Sequence, residues 1–361
     1  MADVPTIRSL AKIAGVSSAT VSLALRNHPR IRPHVRKRIQ RIADEAGYKP
    51  NPIVSHLIAQ VRASKRASYQ STLGVVFTTT DPGHLEVPTF KEWIAACEMR
   101  ARQLGYSFDQ FVLLRSGLSP QRLIKILDAR GIKGLFKLGP FVRGAIPSEF
   151  DIIWKRSSTI VLGARPTRPP LSAVMNDQFS TAGQAVEEVT RLGYRRVGLC
   201  IHPEIEDVVE HRFMGGFLAG QSRLPKEDRV PPCPFEYGDK KTFQQWVRQH
   251  RPDVILTLHH QIREWLAAMK LRVPEDIGLA HLDHVAELSG WAGMRQNNEQ
   301  IGVAAVDMLV GQLHRNEFGS PPFQKCMFIG GTWVDGETVR PQEGGDGVRR
   351  WSRKKASPAK K

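Results

Sequence analysis

The sequence has few cysteines and no long apolar run. Its four cysteines show no Cys-x-x-Cys spacing, which argues against a zinc cluster or a disulfide framework and predicts reduced thiols in the core. No stretch approaches the roughly 18 apolar residues of a membrane-spanning helix, and the N-terminal residues lack the basic and then apolar run of a secretory signal. We therefore expect a cytoplasmic protein with no membrane partner.

Sequence motifs of catalysis are also missing. The chain has no Gly-x-Ser-x-Gly nucleophile elbow, no phosphate-binding loop and no His-Glu-x-x-His helix. We therefore predict neither an enzymatic activity nor a cofactor. With 361 residues, of which 41% are apolar, the chain is long enough for two to three packed domains.

Acidic residues are scarce at both ends of the chain. Residues 1–66 hold 13 Lys and Arg against 3 Asp and Glu, and residues 340–361 hold 8 against 2. The two segments carry +10 and +6 of a total net charge of +17, so the middle is nearly neutral. A basic N-terminal segment is typical of proteins that bind duplex DNA. The C-terminal segment predicts a disordered basic tail, which either adds nonspecific DNA affinity or aids solubility.

Two short helical patterns meet at one glycine near the start of the chain. Thr6 is placed to cap the first helix, Gly15 suits a left-handed residue at its end, and Ser17 is placed to cap the second. A third pattern over residues 35–46 ends at Gly47. The residues at helix spacing in the first two patterns are Ile7, Leu10, Ala11, Ala14, Val21, Ala24 and Leu25. Together with the charge, these patterns predict a helix-turn-helix unit; the alternative is an ordinary helical bundle with a basic face.

Specific residues of this unit resemble the DNA-binding head of the LacI/GalR family of bacterial transcriptional regulators. They are Gly15-Val16-Ser17, Thr20-Val21-Ser22 and the segment from Ala46 to Asn51. A looser resemblance to that family's periplasmic-binding-protein-like core extends over residues 72–339. The resemblance implies a homodimer that binds a palindromic operator, because one head reads only a half-site.

The resemblance also assigns DNA contacts within the head. Ser18, Ala19 and Leu23 replace residues that are often larger and polar in the family, so base preference is not predicted; Leu and Ala can pack on a thymine methyl group. Thr20 and Ser22 are expected to position the helix through phosphates, and Arg26, Arg36 and Arg38 are expected to add sequence-neutral attraction. Arg36 and Arg38 belong to the predicted exposed side of the third helix. The predicted DNA-binding residues are Thr6, Ser17, Ser18, Ala19, Thr20, Ser22, Leu23, Arg26, Asn51 and Leu57.

Residues 50–58 match the family's hinge. There, Leu57 occupies the position of a leucine that family members insert into the minor groove, where it kinks the duplex. The alternative is a plain linker helix. The domain boundaries that follow are 1–49 for the helix-turn-helix domain, 50–71 for the hinge and linker, 72–339 for the core and 340–361 for the tail.

The core alternates strands and helices, which requires parallel sheets covered on both faces. The predicted helices are 90–104, 120–129, 180–192, 204–222, 241–249, 261–269 and 298–314. The predicted strands are 73–78, 108–114, 132–138, 159–162, 197–201, 253–258 and 278–282. The fold class is therefore an all-α helix-turn-helix head followed by an α/β core of two subdomains, with a ligand cleft at the carboxyl ends of the strands.

The resemblance places effector-binding residues in that cleft, where a small molecule, expected to be a sugar or sugar derivative, would bind. The residues assigned this role are Asp177, Arg212, His259, His260, Asp283, Trp291 and Gln296. Arg212 stands one residue further from its Gly-Phe pair than is usual, and His259-His260 replace a common Asn-Asp. A lone tryptophan such as Trp291 is more often a core residue than a sugar platform.

Several alternatives follow from these departures. The histidines near residues 259 and 281 also suit a metal site or a metal-dependent hydrolase, although adjacent histidines on one loop rarely bind the same ion. A sugar-binding protein without a regulatory role is opposed by the head. A regulator whose cleft binds nothing remains compatible with the sequence, as do both repression and activation.

Overall fold

The structure is a computed structural model. It describes residues 6–48 apart from 26 and 28, 71–78, 83, 86–113, 118–139, 148–165, 169–234, 238–285 and 288–342. Arg26, Asn51, Leu57 and the predicted hinge at 50–58 therefore lie outside the described residues. Within them, no helix combines the length and the apolar character that a membrane span needs.

Three helices form the head, which we define as residues 6–48: α1 (Ile7–Ala14), α2 (Ser18–Leu25) and α3 (Pro33–Glu45). Thr6 caps α1, as predicted, because its hydroxyl accepts from the Ser9 N–H while the Ser9 hydroxyl accepts from the Thr6 N–H. One core joins all three helices, and it consists of Leu10, Ala11, Ala14, Val21, Ala24, Ile39 and Ala43. Both the predicted helices and their common apolar face are thus confirmed.

A six-stranded sheet forms the centre of the first α/β unit. Its strands are β1 (Ser71–Phe77), β2 (Tyr106–Val112), β3 (Gly134–Leu138), β4 (Ser158–Leu162), β5 (Ser172–Asn176) and β10 (Cys326–Ile329), in the order β10-β5-β4-β3-β1-β2. Strands β1 to β5 pair in parallel. The helices between them are α4 (Pro88–Gln103), α5 (Pro120–Ala129) and α6 (Asp151–Arg156). Because β3 and β4 are buried along their whole length, both faces of the sheet are covered.

The second unit has a five-stranded sheet with the order β11-β9-β8-β7-β6. Its strands are β6 (Val197–Cys200), β7 (Val254–Thr257), β8 (Gly278–His281), β9 (Ala292–Arg295) and β11 (Thr332–Val334). Its helices are α7 (Gln178–Arg191), α8 (Pro203–Val208), α9 (Arg212–Gln221), α10 (Lys240–His250) and α11 (Ile262–Ala268). Helix α12 (Asn298–Arg315) leads from this unit back to the first.

Separate apolar clusters cover the two faces of this second sheet. Helices α7 and α9 contribute Val186, Val189 and Phe217 to one cluster. Helices α10 and α11 contribute Phe243 and Trp265 to the other. A parallel sheet buried on both faces is the arrangement that the alternating strands and helices predict, and the predicted fold class is confirmed.

Several predicted elements need correction. The helix expected at 204–222 is two helices, because Glu210 and His211 have left-handed backbone angles, with φ of 57° and 54°. Strand β11 runs antiparallel to β9, so the second sheet is not purely parallel. Elements β5, α6, β9, β10 and β11 were not predicted. Residues 340–342, assigned to the tail, are ordered: the Arg340 N–H donates to the Tyr194 hydroxyl and the Gln342 N–H donates to the Leu192 carbonyl.

Candidate DNA-binding and effector sites

The turn of the head is built from backbone and hydroxyl contacts. Gly15 has a φ of 64°, a left-handed angle that favours glycine, and the Val16 N–H donates to the Ala11 carbonyl. The Ser17 hydroxyl accepts from the Thr20 N–H over 3.1 Å and thereby caps α2. The predicted helix, tight turn and helix are therefore present, with their caps formed as expected.

The exposed face of α2 carries four of the predicted DNA-binding residues. Ser18 and Ala19 are exposed, while Ser22 and Leu23, one turn further on, are half-buried. On the opposite face, Val21 and Ala24 are fully buried in the head. Because residues four apart lie on the same side of a helix, these four side chains form one stripe that faces away from the core. We call Ser18, Ala19, Ser22 and Leu23 the reading stripe.

Other predicted DNA-binding residues have roles within the head. The Thr6 and Ser17 hydroxyls accept the capping hydrogen bonds, and the Thr20 hydroxyl lies 2.9 Å from the Ser17 hydroxyl. On α3, an Arg38 Nη donates to the Ala14 carbonyl and an Arg36 Nη donates to the Ile31 carbonyl. These two arginines, expected from the sequence to lie on an exposed side of the helix, thus also fix the backbone of the head.

An ion pair joins the starts of two helices in the second unit. Asp177 caps α7 by accepting from the Ser180 N–H over 3.1 Å and from its hydroxyl over 2.7 Å. An Nη of Arg212, the first residue of α9, lies 3.2 Å from the same carboxylate. Burial tends to raise the pKa of Asp177, but the hydrogen bonds from Ser180 and Arg212 outweigh it and hold the pKa below its usual value. Asp177 is therefore ionised at neutral pH.

One nitrogen of the Arg212 guanidinium, the Nε, is buried and makes no hydrogen bond to the described residues. The guanidinium stacks on Phe328 of β10, 4.1 Å from the ring centroid. The structure thus brings together Asp177, Arg212 and Phe328. The sequence offered no signal for Phe328, since β10 itself was not predicted.

Helix α9 approaches α7 closely enough to exclude a side chain at one position. A Cβ built on Gly216 would lie 2.0 Å from the Phe179 carbonyl oxygen, which is backbone and cannot rotate away. A Cβ on the preceding residue, Gly215, would lie 3.4 Å from the Phe179 ring, which is ordinary contact. Gly216 is therefore the residue that allows the start of α9, and with it Arg212, to lie beside the start of α7.

Buried histidines lie at the carboxyl edge of the second sheet. His259 follows β7 and its Nε2 accepts from the His202 N–H over 3.0 Å; His281 ends β8 and its Nδ1 accepts from the Asp283 N–H over 3.2 Å. Burial, together with neighbouring histidines, lowers the pKa of His259 to about 4, and burial lowers that of His281 to about 4. Both imidazoles are therefore neutral acceptors at pH 7. His202 was not singled out from the sequence, although its place after β6 is a usable signal.

The other predicted effector residues near this edge differ in their exposure. His260 is exposed, and the Gln296 amide is buried and donates to the Leu282 carbonyl over 3.2 Å. Trp291 is only 6% exposed, belongs to the apolar cluster under α10 and α11, and packs edge-on against His281 with ring centroids 5.9 Å apart. This burial agrees with the alternative of a core tryptophan, and the assignment of Trp291 to effector binding stays a prediction. The described residues contain no group of three His, Cys, Asp or Glu able to hold a metal ion.

A basic, capped helix-turn-helix followed by two α/β units with largely parallel sheets defines a bacterial transcription regulator with a periplasmic-binding-protein-like core. The chain belongs to the LacI family. The model for bacterial regulatory proteins of the lacI family matches residues 6–51. The model for the periplasmic-binding-protein-like domain matches residues 186–339.

Individual relatives and solved structures agree with this assignment. The HTH-type transcriptional repressor CytR of Escherichia coli (strain K12) is 24% identical over 335 residues, covering 87% of this chain and 92% of CytR. The regulator CelR of Thermobifida fusca is 24% identical over 293 residues, covering 77% and 82%. A CelR–cellobiose complex has a TM-score of 0.55 at 18% identity, covering 92% of this chain and 99% of CelR. The lac repressor dimer bound to operator and the anti-inducer ONPF has a TM-score of 0.55 at 20% identity, covering 94% and 100%. These structural likenesses establish the fold.

Proposed function

We propose that this protein is a repressor that binds a palindromic operator as a homodimer, with the reading stripe of each head in the major groove. The observation that carries the proposal is the reading stripe itself, which presents four side chains outward from a helix whose opposite face is buried. Each head supplies one such stripe, so two heads related by a two-fold axis would read two half-sites. The names of CytR, a repressor, and of the lac repressor dimer on its operator support this reading.

The bases that the stripe prefers follow from its chemistry. It holds two hydroxyls and two aliphatic groups, and none of the four can make the two-bond contact of an arginine with guanine. The methyl group of Ala19 and the side chain of Leu23 suit thymine methyl groups instead. We therefore expect a half-site in which A·T pairs lie opposite the reading stripe.

A small effector is proposed to act through the carboxyl edge of the second sheet. Asp177, Arg212, His259 and Asp283 supply acceptors and donors of the kind that sugar hydroxyls need, and they lie at helix starts or strand ends, where parallel α/β sheets bind ligands. CelR has been solved with cellobiose, which favours a carbohydrate or a derivative. An effector that binds the two conformations of a regulator unequally shifts its affinity for DNA.

Asn51 and Leu57 are proposed to extend the DNA contact beyond the head. Because the operator is chromosomal DNA, the cytoplasm is the proposed location.

The proposal is tested by selection from randomised duplexes, followed by titration of the full chain on the selected site. We expect a palindromic motif bound by a dimer, with an affinity that falls by ~10³ to 10⁵ between 50 and 200 mM salt if about 6 to 10 phosphates are neutralised. A flat salt response, or a monomer on a single half-site, contradicts it. The effector is sought by calorimetry against mono- and oligosaccharides and their derivatives, and a complete lack of response would indicate a regulator without an effector.

A further inference from the structure

Lys137 is a buried lysine in the interior of the first sheet. It lies in β3, where Val76 of β1 and Val161 of β4 flank it, and it is only 5% exposed. Its Nζ donates to the Gly139 carbonyl oxygen over 2.9 Å. Since Gly139 comes two residues later, the side chain extends along the strand toward its carboxyl end. The ammonium group is therefore at the edge of the sheet where parallel α/β folds bind their ligands.

The charge of Lys137 has no counter-charge in the described part of the chain. An ammonium group offers three hydrogen-bond donors, and the Gly139 carbonyl is the partner found for it there. Burial lowers the pKa of Lys137 to about 8, so most molecules still carry the charge at pH 7. A buried cation without a carboxylate is unfavourable for folding. An anion from outside the chain would relieve that cost.

The groups that the structure places beside the ammonium are uncharged. Thr78, which follows β1 and is 1% exposed, donates through its hydroxyl to the same Gly139 carbonyl. Gly139 and Gly163, at the ends of β3 and β4, have φ angles of 70° and 88°, which favour glycine, and the ring of Trp93 packs against Gly163. Helix α4, which follows β1, begins at Pro88 without a side-chain cap. The helices of parallel units begin at this edge, and their N-terminal N–H groups favour negative charge.

Arg212, the cation of the candidate site in the second unit, does not need an anion from outside the chain. Arg212 is already paired with Asp177 at 3.2 Å, so its charge is compensated within the protein. Lys137 is different, because among the described residues its partner is a neutral carbonyl oxygen. The chemistry of Lys137 thus distinguishes an acidic ligand from a neutral one, which the pair of Asp177 and Arg212 does not.

We propose that Lys137 binds an anionic group, a carboxylate or a phosphate, of the small effector. The effector is accordingly an acidic sugar derivative rather than a neutral sugar. This inference rests on the proposed function in one respect, namely that the protein responds to a small molecule. It adds the charge of that molecule and the residue that recognises it.

The test compares neutral and acidic forms of the same sugars with the full-length protein. Calorimetry and thermal unfolding are carried out at constant ionic strength with D-glucose, D-gluconate and D-glucose 6-phosphate, with further aldoses, their sugar acids and their phosphates, and with inorganic phosphate alone. We expect binding of an acidic form at least 10-fold tighter than that of its neutral parent. A response to sugar acids alone identifies the group as a carboxylate, and a response to sugar phosphates alone identifies it as a phosphate.

Two variants connect the result to the site. Lys137→Met keeps the length of the side chain and removes the charge, so we expect acid binding to weaken at least 10-fold while the unliganded protein melts at the same or a higher temperature. Lys133→Met removes an equal charge from an exposed position just before β3, and we expect it to bind as the wild type does.

Three results would overturn the inference. They are wild-type binding by Lys137→Met, a marked loss of stability of that variant without ligand, and the lack of a response to every acidic compound. Binding of a neutral sugar without any acidic one would remove the inference and leave the proposed function in place. If no compound bound or altered operator affinity, the proposed effector would fail as well.

Discussion

The guanidinium of Arg38 donates to the Ala14 carbonyl oxygen over 2.8 Å and so fastens the end of α1 to α3. Ala14 immediately precedes the left-handed Gly15, and its carbonyl is one of those that a helix end leaves without an intrahelical partner. A basic residue that sequence reasoning assigned to phosphate attraction is therefore also a support for the turn. The direction in which α2 leaves the turn depends on that support.

We expect Arg38→Met to weaken operator binding more than the loss of one charge explains. The lost bond to a charged donor is partly exposed, so it should cost about 1 kcal/mol of head stability. The control is Lys37→Met, which removes the same charge from the exposed neighbouring position. Operator titrations at several salt concentrations and amide hydrogen exchange of residues 14–17 measure both effects. Equal affinity and equal exchange in the two variants would show that the bond does not support the turn.

Leu23→Arg is expected to change the operator motif toward guanine at one position of each half-site. Arginine can donate to guanine O6 and N7 together, a contact that discriminates by ~1 to 3 kcal/mol. Ile13→Arg is the matched control, because Ile13 is 64% exposed on α1 and the substitution adds the same charge outside the reading stripe. It should raise affinity for all sequences alike. If selection from randomised DNA returns the same motif for Leu23→Arg as for the wild type, Leu23 does not face the bases.

How far the sequence predicts the fold depends on how local each signal is. Helix α5, residues 120–129, was predicted with its observed bounds, because Ser119 caps it and Pro120 fits its first turn. The cap of α1 at Thr6 was equally visible. Strand β5 carries no such signal. Ser172–Asn176 is only five residues long, and it is a strand because it pairs with β4, a contact that the residues of β5 do not reveal by themselves. The same reason explains why β9, β10 and β11 were missed.

The candidate effector site likewise combines features that local sequence signals reveal with features that they do not. Asp177 was identified from a family position, and its capping role follows from Ser180 three residues later. Its pairing with Arg212 could not be derived, since the predicted helix 204–222 placed Arg212 in mid-helix rather than at the start of α9. The left-handed angles at Glu210 and His211 break that helix, and non-glycine residues give little warning of such angles.

Asp177 has two roles that two substitutions can separate. Asp177→Ala removes both the cap of α7 and the carboxylate paired with Arg212, whereas Asp177→Ser keeps a hydroxyl able to cap. We expect the alanine variant to lose about 1 kcal/mol more of its free energy of unfolding than the serine variant, which is the usual worth of a helix cap. Denaturant titration measures the difference. Equal losses would mean that the ion pair, and not the cap, accounts for the stability that Asp177 provides.

The neutral histidines predict a stability that declines in acid. His259 and His281 have pKa values of about 4 in the folded protein against 6.5 for an ordinary histidine. Between those values the unfolded chain binds more protons, so their contribution is complete above about pH 6.5 and is lost as the pH falls toward 4. Each histidine accounts for at most about 1.4 kcal/mol per pH unit in that window. Denaturant titrations from pH 4 to 7 should show this slope.

His259→Gln tests the origin of that slope. The glutamine oxygen can accept from the His202 N–H as His259 Nε2 does, and glutamine does not titrate, so the variant should lose less stability between pH 6.5 and 4 than the wild type. His260→Gln changes the exposed neighbour and should leave the slope nearly as it is. An unchanged slope in His259→Gln would assign the acid sensitivity to other groups.

The contact between α7 and α9 provides the sharpest pair of substitutions. Alanine at Gly216 would bring a Cβ to within 2.0 Å of the Phe179 carbonyl oxygen, so the helices must separate; at Gly215 the nearest atoms are ring carbons at 3.4 and 3.6 Å. Alanine is favoured over glycine inside a helix by about 0.8 to 1 kcal/mol. Gly215→Ala should therefore be neutral or stabilising, whereas Gly216→Ala should cost roughly 3 kcal/mol, the upper end for overpacking.

Urea titrations of the two variants measure these opposite effects. Equal dependence of the free energy of unfolding on urea concentration would confirm that the same unfolding reaction is compared. The separation of the helices also moves Arg212 away from Asp177, because these residues begin α9 and cap α7. Gly216→Ala should therefore weaken effector binding as well as stability, and Gly215→Ala should leave both intact. Should the two variants behave alike, the close approach of the helices at Gly216 does not position Arg212, and the candidate effector site loses its geometric basis.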